Sequence, residues 1–395
     1  MNPPDGVLVV GASAAGLTAA EALRRKGYEG RLTILGAEPH LPYDRPPLSK
    51  QVLGGAWLPE RAQLRASDAL SSLDASFVLG DPAVGLDVAE RSVRTASGQV
   101  LAAEAVVVAT GLRPRTLPGQ DGLAGVHVLR SLDDALALRK DLLSCSRVVV
   151  VGDGVLGAEI AATARSMGLT VTMAGPQEAP LAYQFGPLPA RLLAELHASN
   201  GVSLALGAGV TGLSAKDGRV TGVRLATGEV LPADVVVVAF GAAPVTEWLS
   251  GSGLLCDNGV VCDSRCRAAE GIYAAGDVAR WHHETLDVLL RLENRTNATE
   301  QALAVAGNVL GADKPYTPVP YFWTDQFDVK IHVHGTLFAD ADVAIVDGDP
   351  ADRRFVATYS RGGVVTGVLG WNMPKQARLR RQEVFGASVL VGGKS

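Results

Sequence analysis

Uninterrupted apolar runs, each closed by glycine, punctuate the chain. Val7-Leu8-Val9-Val10 leads into Gly11-Ala12-Ser13-Ala14-Ala15-Gly16, and Val148-Val149-Val150-Val151 leads into Gly152-Asp153-Gly154-Val155-Leu156-Gly157. A short apolar run without alternation predicts a strand buried on both faces, as in a parallel sheet. Each glycine loop opens an alanine-rich segment that predicts a helix, the first over Ala14–Lys26. Further strands are expected at Arg31–Leu35, Ala105–Gly111 and Asp234–Gly241, and a second βαβ unit from Arg147 to about Ala174. The pattern therefore repeats, with each unit starting at a glycine loop and ending on a valine strand. Gly271–Asp277 reads as a strand returning to the first unit. Arg113-Pro114-Arg115 and Leu117-Pro118-Gly119 read as a linker. From about Tyr316 the residues alternate, as in Lys330–His334, which predicts a smaller α+β domain at the C-terminal end.

The spacing of the glycines carries the first chemical clue. A helix start presents free N–H groups and about half a positive charge, a natural seat for a pyrophosphate. One such loop suggests a dinucleotide site, and two suggest one bound dinucleotide exchanging electrons with another. The fold class is therefore α/β, with two Rossmann-like dinucleotide-binding domains and a small α+β C-terminal domain.

Composition narrows the alternatives. The chain has 395 residues, 47% of them hydrophobic, enough for two or three cored domains. A net charge of −5 argues against general nucleic-acid binding. No segment approaches the roughly 18 apolar residues of a membrane helix, and Met1–Asp5 lacks a signal pattern, so a cytoplasmic protein is expected. The four cysteines, Cys145, Cys256, Cys262 and Cys266, include no Cys-x-x-Cys pair. A turn at Asp257-Asn258-Gly259 scatters them over different faces, so neither a metal site nor a catalytic dithiol is expected. His282-His283 and His332/His334 lack a completing ligand and read as surface histidines, so no metal is expected.

A second stretch, Pro42-Tyr43-Asp44-Arg45-Pro46-Pro47-Leu48-Ser49-Lys50, reads in isolation as a stiff proline loop ahead of a short helix. Together with Glu38-Pro39-His40 it resembles the oxygenase-coupled NADH–ferredoxin reductases. The resemblance extends in order through Ala109-Thr110-Gly111, the Val148–Glu159 loop, Ala275-Gly276-Asp277, Glu293–Gln301 and Phe322–Gln326. It implies the FAD/NAD(P)-linked reductase fold: an FAD domain from residues 1–112 and 241–316, an NAD(P)H domain over 113–240, and a C-terminal domain over 317–395. It implies FAD and NADH as cofactors, with NADPH admitted as a second donor. An iron–sulfur ferredoxin is the implied partner, indirectly serving a heme monooxygenase or ring-hydroxylating oxygenase. A monomer or weak dimer is expected.

The resemblance also assigns residues. The cofactor-binding set comprises Gly11, Ser13, Ala14, Ala15, Gly16, Ala37, Glu38, Arg45, Val84, Ala109, Thr110, Gly111, Arg130, Gly241, Gly276, Asp277, Arg295 and Trp323, of which the first loop holds the FAD pyrophosphate. The nicotinamide loop comprises Gly152, Gly154, Val155, Leu156 and Gly157. Lys50 is expected near the reactive edge of the flavin as a stabilising cation, and Glu159 facing the nicotinamide and pairing with Lys50. Gln326 is expected to approach the flavin beside Trp323. The alternatives are plain: a surface lysine at 50, a solvated helix carboxylate at 159, a helix cap at Asp277 and core packing at Trp323.

Four departures stand out. Ser13 replaces the middle glycine of the first loop. Ala37 stands where relatives carry an acid for the ribose, leaving Glu38 to reach it. Arg295 and Thr296 replace an apolar or aromatic residue beside the flavin. Gly175 replaces the acid that binds the ribose 2′-hydroxyl and repels a 2′-phosphate. Two unit charges about 4 Å apart interact by roughly 4 kcal/mol at an effective dielectric near 20, so weaker discrimination against NADPH is expected. For docking an acidic ferredoxin, Lys375, Arg378, Arg380 and Arg381, or Arg61 with Arg65, form basic candidates. Rival functions are an NADH oxidase or nitrite reductase component, and a signalling flavoprotein resembling apoptosis-inducing factor.

Overall fold

The protein, in a computed structural model, is described for residues 3–384 and 386. The expected outermost residues of the first and last domains, 1–2 and 387–395, and residue 385 lie outside the described ones. The chain divides into two compact units. The first takes Met1–Asp44, Glu60–Arg113 and Ala243–Pro318, and the second Arg45–Pro59, Pro114–Ala242 and Val319–Ser395. The expected C-terminal domain thus groups with the second unit, as does Arg45–Pro59, which carries Lys50.

In the first unit a six-stranded sheet runs in the order Arg267–Ala269, Ile272–Ala274, Ala105–Val108, Gly6–Val10, Arg31–Gly36, Ser76–Leu79. Only its outermost pair, Arg267–Ala269 with Ile272–Ala274, is antiparallel. Gly6–Val10 is central and wholly buried, which is why it reads as a continuous apolar run. The helix Ala14–Arg25 packs on this strand and against Arg295–Val309. Small residues make that approach possible: Ala19, Ala20, Ala302 and Ala306 are fully buried. The chain does return to the first sheet, since Ile272–Ala274 pairs in parallel with Ala105–Val108.

The second unit repeats the plan with five parallel strands, in the order Val202–Leu206, Thr170–Gly175, Arg147–Val151, Val235–Val238, Val126–His127. The helix Val155–Ser166 follows its glycine loop. The expected linker is more ordered than its prolines suggest, because Leu112–Pro114 forms a short strand.

The alternating region forms a five-stranded antiparallel sheet, ordered Tyr321–Gln326, Val329–Gly335, Val364–Trp371, Arg354–Arg361, Asp342–Asp349. Phe355 and Trp371 stack in its core, with ring centroids 5.8 Å apart. Tyr359 anchors this sheet within the unit by donating its hydroxyl to the Phe185 carbonyl at 2.6 Å. Among the described residues no helix is long and apolar enough to cross a membrane.

Candidate functional site

Both glycine loops are built on the same contacts. Gly11 has φ +124°, and a Cβ there would lie 2.1 Å from the Ala109 carbonyl oxygen; one on Gly16 would lie 1.8 Å from the Gly11 carbonyl oxygen. In the second unit, a Cβ on Gly152 (φ +135°) would lie 2.3 Å from the Ala239 oxygen, and one on Gly157 2.0 Å from the Gly152 oxygen. These positions admit glycine because the backbone itself fills the space a side chain would take. The backbone amides behind them are thereby held at a helix start, a cradle that fits a pyrophosphate. Gly154 has no atom within 4 Å of its missing Cβ, so this middle glycine faces open space. Ser13 caps Ala14–Arg25 in an extended conformation, with no side-chain bond to the helix. Ala14, Ala15, Val155 and Leu156 begin the two helices.

Around the first loop, several expected residues gather in the first unit. A Cβ on Gly276 (φ +77°) would meet Ala15 Cβ at 2.9 Å, so Gly276 and Asp277 approach the helix that the loop opens. Gln301 holds them by accepting the Gly276 N–H at 2.9 Å, and Arg291 donates to the Asp277 carbonyl at 3.2 Å. Ala109 donates its N–H to Val10 at 2.7 Å, and Thr110 donates its hydroxyl to Val245 at 2.8 Å. Gly111 takes φ +68° at the turn. Tyr43 donates its hydroxyl to Glu38, fixing the carboxylate next to exposed Ala37. Arg295 is tied down by Asp44 and Thr299. Val84 is 43% exposed on the strand Ala83–Asp87.

The expected Lys50–Glu159 pair forms in the second unit. Leu48–Val52 is a π-helical turn, closed by Val52 N–H on the Pro47 carbonyl at 2.9 Å. Thr163 anchors it by donating to the Ser49 carbonyl at 2.7 Å. Glu159 is 6% exposed, so it is no solvated helix carboxylate. Its Oε2 accepts from Lys50 Nζ at 2.8 Å and from Ser49 Oγ at 2.7 Å, and its Oε1 accepts from Thr324 Oγ1 at 2.9 Å. Three donors offset the desolvation of this buried carboxylate. Ser49 and Thr324 were not singled out from sequence; the Pro-Pro-Leu-Ser-Lys stretch contains the first.

Other second-unit residues take less expected places. Gln326 is wholly buried and spends its amide on Thr324 and on His197, at 3.2 and 2.8 Å. Trp323 is half-buried beside Tyr321, with centroids 6.0 Å apart. Arg130 precedes the Ser131–Asp134 capping box of the helix Leu132–Leu142, and its carbonyl accepts from Arg45. Gly241 takes φ +111° and accepts the Arg115 N–H at 3.0 Å.

The histidines are not simply surface residues. His197, His283 and His334 are buried; His197 bonds the Gln326 amide and His283 the Pro318 carbonyl, while Nδ1 of His197 and of His334 has no hydrogen-bond partner among the described residues. Tyr321 stacks on His334 with centroids 4.7 Å apart, and burial lowers that imidazole's pKa to about 4. Burial likewise lowers His197. Among the described residues no group of histidine, cysteine or carboxylate side chains suits a metal. Cys262 and Cys266 are buried and unbonded to each other, and burial pushes the Cys266 thiol up to about 12. Such thiols are poor nucleophiles.

A further carboxylate, Asp153, sits in the second glycine loop. Its carboxylate lies where a side chain on Gly175 would point, 2.2 Å from the missing Cβ. Of the basic candidates, Arg380 pairs with Glu383 and Arg65 with Glu21, while Lys375 and Arg378 are exposed.

Comparison with known proteins agrees with this geometry. Residues 5–302 match the family model "Pyridine nucleotide-disulphide oxidoreductase", and residues 321–386 match "Reductase C-terminal". The chain is 35% identical to rhodocoxin reductase of Rhodococcus erythropolis, covering 95% of this chain and 88% of that one. It is 37% identical to the ferredoxin–NAD(+) reductase subunit of the benzene 1,2-dioxygenase system of Pseudomonas putida, over 84% of this chain and 80% of that one. Its fold matches the reductase in the covalent putidaredoxin reductase–putidaredoxin complex with a TM-score of 0.91 and 32% identity, over 96% and 93% of the two chains. Two glycine cradles, a buried Lys50–Glu159 pair and these matches establish that the chain belongs to the pyridine nucleotide-disulphide oxidoreductase family, among its ferredoxin reductases.

Proposed function

We infer that the protein is an NAD(P)H-dependent ferredoxin reductase carrying FAD, which supplies electrons to a heme monooxygenase or ring-hydroxylating oxygenase through an iron–sulfur ferredoxin. The observation that carries it is the pair of glycine loops in one chain without a reactive dithiol. A one-electron protein partner removes the need for such a dithiol. Bound FAD supplies the conversion of a two-electron hydride from NAD(P)H into single electrons for the ferredoxin.

The chain's own residues bind, orient and hold charge. Gly11, Gly16 and the start of Ala14–Arg25 fit the FAD pyrophosphate, with Glu38 held by Tyr43 for the ribose and Asp277 beside the same helix. Gly152, Gly154 and Gly157 fit the pyrophosphate of the nicotinamide coenzyme. Lys50, assigned to the redox site by family resemblance, offers a cation where negative charge develops. Glu159 fixes its ammonium at 2.8 Å and keeps the pair in one geometry. The protein is assigned to the cytoplasm, where its reductant and ferredoxin meet.

The test is spectroscopic and kinetic. The purified protein is expected to show flavin absorbance and to reduce cytochrome c with NADH only when an oxygenase ferredoxin is added. A colourless protein, or cytochrome c reduction indifferent to ferredoxin, rejects the assignment.

A further inference from the structure

Gly175 ends the strand Thr170–Gly175 without the side chain expected to recognise the adenosine ribose. The space beside it is filled. A Cβ on Gly175 would lie 2.2 Å from Asp153 Oδ2 and 2.5 Å from its Cγ. An acid at 175 and the Asp153 carboxylate therefore exclude each other, and the chain carries the carboxylate from the loop side instead.

That carboxylate is built in. Asp153 is 6% exposed and Gln177 4%. Asp153 Oδ2 accepts the Gln177 backbone N–H at 2.8 Å, and Oδ1 accepts Gln177 Nε2 at 2.7 Å. Gln177 Oε1 accepts the Tyr183 N–H at 2.7 Å, which fixes the amide so that its NH2 end faces Asp153. The Asp153 carbonyl accepts the Leu181 N–H at 2.9 Å. Both carboxylate oxygens keep further lone pairs, and their two donors are neutral amides. Such a group accepts from a ribose hydroxyl and meets a 2′-phosphate as a like charge.

We propose that Asp153 is the specificity-determining acid of the coenzyme site, replacing the strand-end acid that Gly175 lacks and selecting NADH, with its free 2′-hydroxyl, over NADPH. This rests on the assignment of the second glycine loop to the nicotinamide coenzyme. The sequence alone pointed to weakened selectivity at Gly175; the carboxylate seated beside it restores the discrimination.

Calorimetric titration of the flavin-loaded protein with ADP-ribose and with its 2′-phosphate reads the adenosine half alone, without turnover. ADP-ribose is expected to bind at least about tenfold more tightly. Asp153→Asn is expected to shrink that ratio to below about threefold. The exchange Asp153→Gly with Gly175→Asp moves the acid back to the strand and is expected to restore it. A merely structural Asp153 would weaken both ligands equally and leave the ratio alone.

An unchanged ratio in Asp153→Asn, or a wild-type ratio near one, overturns the proposal. Should Asp153→Asn bind neither ligand, the exchange variant decides: a restored ratio supports the proposal, and equal binding overturns it. If the wild-type protein binds neither ligand, the assignment of the second loop falls and takes the proposal with it. That result is distinct from binding without discrimination.

Discussion

The two glycine loops share one backbone design and differ in what surrounds it. At the first, the residue after the opening glycine is Ala12, whose methyl lies 2.8 Å from the missing Cβ of Gly36 at the strand end. At the second, Asp153 occupies the equivalent place beside Gly175. Small apolar side chains crowd the first helix start, where Ala14, Ala15 and Gly16 are all buried. Around the second lie buried carboxylates, Asp153 and Glu159, each with its own donors. One backbone geometry thus takes two surroundings, apolar and closely packed at the first loop and charged at the second; under the proposed assignment the first suits a cofactor that stays and the second a coenzyme that must be selected and released.

The largest expected effect tests whether the loops act separately. Gly16→Ala places a methyl 1.8 Å from a carbonyl oxygen and is expected to cost about 3 kcal/mol or more and to abolish flavin retention. Gly157→Ala meets the same obstacle at 2.0 Å, yet is expected to keep the flavin and lose NADH binding. Flavin-to-protein absorbance ratios and nucleotide titrations read the two outcomes. Loss of flavin from Gly157→Ala would show that the two loops do not bind separately.

Next in size is the buried ion pair. Glu159→Ala leaves the Lys50 ammonium, 15% exposed, without its carboxylate, and is expected to lower stability by about 3 kcal/mol. NADH-dependent reduction of ferricyanide is expected to fall as well. Denaturant melts and stopped-flow flavin bleaching check both, and a variant as stable and fast as the parent contradicts the assigned role.

Acid is expected to separate the units. His197, His332 and His334 all belong to the second unit, and burial lowers each of their pKa values. A histidine whose folded pKa lies below its unfolded value stays neutral in the fold while the unfolded chain takes up a proton. Its contribution is therefore complete above about pH 6.5 and is lost as pH falls towards the folded value, about 4 for His334. That loss is at most about 3 kcal/mol for His334. Hydrogen exchange between pH 7 and 4 is expected to loosen the antiparallel sheet Tyr321–Trp371 first, and His334→Gln is expected to flatten the response.

The smallest effect probes the first loop's ribose side. Tyr43→Phe removes the hydroxyl that donates to Glu38 and is expected to cost about 1 kcal/mol and to weaken flavin binding severalfold, measured by reconstitution of the apoprotein. No change would show that Glu38 has no part in the first site.

Much of the fold was legible because buried parallel strands and glycine loops leave local marks. Val7–Val10 and Val148–Val151 are apolar on every residue since both faces are covered, and Gly11, Gly16, Gly152 and Gly157 stand where backbone carbonyls leave no room. The pairing of Lys50 with Glu159 followed from family resemblance, and its burial was open between alternatives. Of the four histidines expected at the surface, His283 and His334 are buried; His334 is hidden by Tyr321, a partner on a neighbouring strand, and no local pattern marks that.

The sequence by itself therefore determined the two βαβ units, their glycine cradles and the absence of a neighbouring dithiol, since each depends on residues close together in the chain. Tertiary structure alone decided which distant side chains share a site. Thr324 reaches Glu159 across 165 positions, and Asp153 meets Gly175 and Gln177 only because parallel strands bring loop and strand end together. Local pattern specifies the backbone; the charge placed at the end of a strand depends on what folds against it.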